Sequence, residues 1–201
     1  MGVVDGAVRA LRSGLLVVLP TDTVYGLAAT AYDEDPVRRL YQVKGRPDTS
    51  PIALVASHVD LLFECVPELL GRDATIARTL LPGPYTLVLR NPARRFPWLA
   101  GSAPDAIGVR VPALEGDAAE ILQEVGAVAA SSANLRGGPD PRTLAEVPEQ
   151  IRSEAAVLVD GGELPGTAST VIDFTGPEPK VIREGAAPSA EAIARALAAL
   201  R

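Results

Sequence analysis

Apolar residues at Val4, Ala7, Val8 and Leu11 keep the spacing of one helical face, and Gly14 closes the pattern. The continuous apolar run at 15–19 that follows has the length of a buried strand. Asp35 and Pro36 read as the N-cap and first position of a second helix, with Val37, Leu40 and Tyr41 on one face and Gly45 at the stop. Lys44 thereby falls at a helix C-terminus. The same reading predicts strands at 52–56, 85–89, 107–111, 127–130, 157–159, 170–174 and 180–183. Helices are predicted at 59–65, 73–81, 117–125 and 190–200, the last capped by Ser189. Strands interleaved irregularly with short helices predict an α/β fold with a mixed sheet. No internal repeat is visible, 136–142 reads as a loop, and one domain spanning 1–201 is expected.

Composition narrows the chemistry. Aromatic residues make up 4% of a chain that is 47% hydrophobic, so Ala, Val, Leu and Ile must build the core. Nineteen Lys and Arg against 25 Asp and Glu give a net charge of −6, which argues against a surface built throughout for nucleic acid and leaves room for a local basic patch. One cysteine, Cys65, excludes an internal disulfide, and one histidine, His58, excludes a His-rich or Cys/His-rich metal site. Ser-His-Asp and Cys-His catalysis would both depend on His58, which follows Ser57 at a helix start and reads as a cap. The N-terminus has neither the charged nor the long apolar region of a signal peptide, and the longest apolar run, 15–20, is far short of the ~20 residues that span a bilayer. A cytoplasmic protein without a membrane segment is expected.

Four constellations could carry chemistry. The first is P-T-D-T-V-Y-G-L at 20–27, where Thr21, Asp22, Thr23 and Tyr25 crowd the end of a predicted strand and must either satisfy turns or line a pocket. Lys44-Gly45-Arg46-Pro47 is either a helix end stabilised by a cation or a two-cation clamp for phosphate or carboxylate. Ser131-Ser132-Ala133-Asn134 ends a strand of small residues that lets a ligand approach the backbone, although Ser and Asn turns are equally compatible. Arg110 and Arg183 lie near the ends of apolar strands, either on a solvent face or converging with Lys44 and Arg46 on an anion. Ser169 and Thr170 sit at another strand start. Neither a P-loop nor a G-x-G-x-x-G turn occurs, so a nucleotide would have to be held by scattered cations.

Taken in order, PTDTVYGL at 20–27, KGRP at 44–47, PGPYTLVL at 82–89, GVRVP at 108–112, SSAN at 131–134, STVID at 169–173 and VIREG at 181–185 resemble the YrdC/TsaC family of threonylcarbamoyl-AMP synthases. The resemblance implies a twisted mixed β-sheet with flanking helices around a large concave groove. It implies condensation of L-threonine, bicarbonate and ATP to threonylcarbamoyl-AMP and pyrophosphate, with Mg²⁺ carried by the nucleotide. A TsaD-type transferase would then use the product to modify the adenosine beside the anticodon of tRNAs. Lys44 and Arg46 would be catalytic and hold the phosphates and carbamate. Arg110, Ser132, Asn134 and Arg183 would complete the nucleotide site, and Thr23, Tyr25, Arg46 and Ser169 the threonine site. Val55 stands where many members have a histidine, and the chain is expected to match the short bacterial form, with 136–142 serving as a lid. Two other readings compete: a module that binds tRNA or double-stranded RNA, and a paralogue with another activity.

Overall fold

A computed structural model describes residues 2–201. The first helical pattern forms α1, Val3–Arg12, and the apolar run after it forms β1, Leu16–Leu19. Next come β2 (Gly26–Thr30), α2 (Glu34–Val43), β3 (Ala53–Ala56), α3 (Val59–Cys65) and α4 (Arg72–Leu80). The middle of the chain gives β4 (Tyr85–Arg90), β5 (Ala106–Arg110), α5 (Gly116–Val125) and β6 (Ala127–Ser132). The last third gives α6 (Glu149–Glu154), β7 (Ala155–Leu158), β8 (Thr170–Asp173), β9 (Lys180–Arg183) and α7 (Ser189–Ala198).

Local chemistry explains the boundaries that differ from expectation. Asp33, not Asp35, caps α2: its side chain accepts from the Asp35 amide at 3.1 Å. Pro36 thereby falls in the first turn, where its missing N–H has no carbonyl to serve. His58 caps α3 through Nδ1, which accepts from the Leu61 amide at 3.0 Å. Ser189 is the first residue of α7 rather than its cap, and its hydroxyl bonds to Glu184. Two elements have no counterpart in the sequence reading: β2, whose Gly-Leu-Ala-Ala-Thr run has no alternation, and the six-residue α6.

All nine strands join one mixed sheet in the order β7-β1-β2-β6-β3-β5-β4-β8-β9. One face carries Leu16, Leu27, Leu54, Leu87, Val109 and Ile172 against apolar residues of α2, α3, α4, α6 and α7. On the other face α1 and α5 pack against Val17, Leu19, Ala28, Val55 and Val128, which belong to β1, β2, β3 and β6. That cover stops there. The alternate residues of β4, β5 and β8, among them Thr86, Val88, Gly108, Val171 and Asp173, are half-buried and form an open floor. Among the described residues no helix is long and apolar enough to cross a membrane.

Candidate functional site

Between β1 and β2 the chain turns through 20–25, and the turn is held by its own hydroxyls. Thr21 Oγ1 donates to the Val24 carbonyl at 2.7 Å and accepts from the amides of Thr23 and Val24, each at 3.2 Å. Thr23 is fully buried beside it. Tyr25 is buried as well, but its hydroxyl donates to the Gly162 carbonyl at 2.8 Å and accepts from the Gly161 amide at 2.9 Å. Burial raises its pKa above the usual tyrosine value. Tyr25 therefore pins the segment after β7 to the sheet, its hydroxyl committed to Gly161 and Gly162.

At the adjoining strand end, β2 and β6 pair Gly26 with Ser132 and Leu27 with Ser131. Lys44, the C-cap of α2, is 3% exposed and aims its ammonium at this end. It donates to the carbonyl of Ser132, to the carbonyl of Asn134 at 2.8 Å and to Asn134 Oδ1 at 3.1 Å. Burial, reinforced by Arg46 and opposed by Asp140, lowers its pKa to about 8. Asn134 Oδ1 also accepts from the Ser132 hydroxyl at 2.7 Å, and its amide donates to the Gly138 carbonyl at 2.7 Å. Lys44, Ser132 and Asn134 thus form a closed bracket. Lys44 supplies a fixed positive charge there, and Asn134 ties the 136–142 loop to it. Arg46 lies alongside, donating from Nη1 to Ser131 Oγ at 3.2 Å and from Nη2 to the Pro51 carbonyl at 2.8 Å.

The second cluster lies where β5, β4, β8 and β9 meet. Thr86 of β4 is level with Val171 of β8, and Val171 with Arg183 of β9. Ser169, nearly buried, shares a 2.8 Å hydrogen bond with Thr86 Oγ1. Arg183 donates to the Ser169 carbonyl from Nε at 3.0 Å and from Nη2 at 2.8 Å, and to its hydroxyl at 3.2 Å. Arg110, at the end of β5, is buried and ion-paired with Asp22, and its Nη2 also donates to Thr23 Oγ1 at 2.8 Å. Its Nε is buried with no protein partner. These bonds put Arg110 with Asp22 and Thr23.

Electrostatics connect the two clusters. Desolvation lowers the pKa of both Arg46 and Arg183; Arg46 also feels Arg183, and Arg183, which keeps exposed surface, feels Arg110. Asp140 in the 136–142 loop opposes the shifts of Lys44 and Arg183. Among the described residues eleven arginines pair with carboxylates within 4.0 Å. Lys44, Arg46 and Arg183 have no carboxylate within 4.0 Å among the described residues, and the hydrogen bonds they donate go to neutral oxygens. By contrast, the cleft between α2 and α6 has Arg38 and Arg39 already paired with Glu34 and Glu154. The donors gathered in the two clusters suit anions. Among the described residues no three His, Cys, Asp or Glu side chains converge on a metal position.

Asp22, Thr86, Ser131 and Asp140 are the neighbours that the sequence reading left out of the site. Each sat inside or beside a motif already singled out, so proximity to those motifs was the one available signal.

Comparison with known proteins places the chain in a family. The family model Sua5_yciO_yrdC, described as "Telomere recombination", matches residues 9–185. A putative threonylcarbamoyl-AMP synthase of Mycobacterium tuberculosis is 36% identical over 192 residues, covering 95% of this chain and 87% of that one. The threonylcarbamoyl-AMP synthase of Pyrococcus abyssi is 36% identical over 182 residues, 90% of this chain and 53% of the relative, so the chain spans about half of that protein's length. The crystal structure of P. abyssi Sua5 complexed with L-threonine superposes with a TM-score of 0.86 at 35% identity, covering 96% of this chain and 57% of that one. With the family model matching most of its length, the chain belongs to the Sua5/YciO/YrdC family.

Proposed function

We propose that the protein is a threonylcarbamoyl-AMP synthase, condensing L-threonine, bicarbonate and ATP to threonylcarbamoyl-AMP and pyrophosphate. The observation that carries this reading is the trio Lys44, Arg46 and Arg183, with no carboxylate within 4.0 Å among the described residues in a chain of net charge −6, whereas the buried Arg110 is ion-paired. The naming of two relatives as threonylcarbamoyl-AMP synthases, one of them putative, and the L-threonine complex of a structural neighbour support it.

In this reaction bicarbonate, protonated, gives CO2 and water, and the neutral amine of threonine takes up that CO2 to give a carbamate with release of a proton. A carbamate oxygen then attacks the α-phosphorus of ATP, and pyrophosphate departs. Such a displacement demands alignment and neutralisation of accumulating negative charge more than a strong side-chain base. Arg46 and Arg183 supply forked donors to the phosphates, and Lys44 a fixed charge beneath the Ser131–Ser132 strand end. Thr23 and Ser169 face the amino acid, and Arg110, tied to Thr23, joins that side. The 136–142 loop, fastened by Asn134 to Gly138 and by the Tyr25 amide to the Pro141 carbonyl at 3.0 Å, shields a labile carbamate from water. Mg²⁺ accompanies the nucleotide, since the groove residues supply no cage for it. The product is an activated acyl adenylate, a donor for a TsaD-type transferase.

The test is pyrophosphate release from ATP, bicarbonate and Mg²⁺ with and without L-threonine. Threonine-dependent release supports the reading, and its absence overturns it. Arg46→Ala and Arg183→Ala should each raise the KM for ATP about tenfold to a hundredfold, the scale of one lost hydrogen bond to a charged group.

A further inference from the structure

Thr86 stands midway along a row of residues that crosses the open floor of the sheet. Leu87 of β4 is level with Val109 of β5, which brings Thr86 next to Arg110 at the strand end. On its other side Thr86 is level with Val171, itself level with Arg183 of β9. Alternation turns 86, 88, 108, 110 and 171 to the same face. Gly108 adds no side chain there: a Cβ on it would lie 3.8 Å from Thr86 Cγ2. The row therefore sets one hydroxyl between two guanidinium groups, and Thr86 is half-buried, with part of its side chain open to the groove.

Two protons belong to the hydroxyl pair of Ser169 and Thr86. Ser169 is 2% exposed, accepts from Arg183 Nη2 at 3.2 Å and shares its 2.8 Å bond with Thr86 Oγ1. Among the described residues no other acceptor lies within hydrogen-bond reach of the Ser169 hydroxyl, and a proton left unpaired on a buried oxygen is costly. Ser169 therefore donates to Thr86. Thr86 Oγ1 makes no other hydrogen bond to the described residues, so its own proton is left for whatever occupies the groove.

We propose that Thr86 is a further substrate-binding residue, its hydroxyl donating to the carboxylate of the amino-acid substrate. A proton donor set between two guanidinium groups suits an anionic oxygen. The inference rests on the reading above, which sets Ser169 and Arg110 on the amino-acid side and the Lys44 bracket with Arg46 on the phosphate side; Arg183 closes the row at its outer end. Ser169 then works from beneath, orienting Thr86 rather than meeting the substrate itself.

The test is Thr86→Val, which keeps the shape of the side chain, suits a strand and cannot donate. In calorimetric titration it should weaken L-threonine about tenfold or more, the scale of one hydrogen bond to a charged group. L-threoninamide, with a neutral amide in place of the carboxylate, should lose less, because a neutral acceptor gains about half as much from the donor. The preference for L-threonine over L-threoninamide should thus narrow severalfold, while the KM for ATP stays near wild type. Thr86→Ser should restore the wild-type pattern, and Thr86→Ala replaces Thr86→Val if the latter does not fold. Equal losses on the acid and the amide, a rise in the KM for ATP without a loss of threonine, or wild-type behaviour each overturn the proposal while the synthase reading stands. A wild-type chain that binds L-threonine with the expected dependence on Thr86 yet releases no pyrophosphate overturns the synthase reading alone, and one that binds no L-threonine overturns both.

Discussion

Lys44 is one of two lysines in the chain, and three oxygens surround its ammonium. Burial is the main cause holding its pKa down near 8, against 10.5 for a free lysine. The unfolded chain therefore keeps this proton between about pH 8 and 10.5 after the folded chain has released it, so Lys44's contribution to stability improves as pH rises through that window. Activity should do the opposite, because the charge proposed to serve the phosphates is being lost. Turnover is expected to decline above about pH 8, while urea titrations show wild type gaining stability relative to Lys44→Met between pH 8 and 10.5. A decline in turnover that Lys44→Met shares at the same pH would place the titration elsewhere. At this scale the sequence revealed which residue types gather, and much less where their atoms point. Lys44, Arg46, Ser132 and Asn134 were marked by spacing, and they do meet. Tyr25 was marked by the same crowding, yet its hydroxyl is claimed by Gly161 and Gly162, more than 130 positions along the chain. No local pattern encodes a partner at that distance.

Elements were legible where apolar periodicity and a cap agreed, as in α1, β1 and β4. The Ala-rich β2 was missed because alanine carries little strand preference and, with both faces of the sheet covered there, alternation disappears. Strand order was beyond reach: β7 pairs in parallel with β1, and nothing near either strand announces the other. The turn after β9 shows how tightly an element can be bound to the site. A Cβ added to Gly185 would lie 2.6 Å from the Ser169 carbonyl oxygen, which Arg183 also holds. Gly185→Ala is therefore expected to push β9 away from Ser169, cost about 1–3 kcal/mol in urea unfolding and weaken nucleotide binding. At Gly45 a Cβ would meet nothing within 4 Å, and only its φ of +58° opposes a side chain. Gly45→Ala is the control and should cost about 1 kcal/mol. Equal losses in the two variants would show that space at Gly185 is not what matters.

Across the whole molecule the half-covered sheet is what makes a site. α1 and α5 seal the face over β1, β2, β3 and β6, and the floor beyond them, with Thr86, Val88, Gly108, Val171 and Asp173, is left half-buried. Composition foretold an acidic exterior, and ion pairs show how it coexists with an anion site: carboxylates pair with many of the arginines on the outside, among them Arg38, Arg39, Arg94 and Arg95, and with neither Arg46 nor Arg183. A footprint of three cations is small for a polyanion. Any binding of duplex RNA should be weak, with log K falling against log salt at a slope of about −3 or shallower, and ATP should compete for it. A steep slope untouched by ATP would locate an RNA surface outside the groove.

β9 is the last strand of the sheet, paired on one side only and exposed along its whole length. Edge strands of this kind are the first to fray. Arg183 rides on it, so one wall of the proposed phosphate site belongs to an exposed edge strand, and a bound triphosphate bridging Arg183 to Arg46 would act as a rivet across the fold. Substrate would then do part of the work of finishing its own container, and the empty protein would breathe at its rim before anywhere else in the sheet.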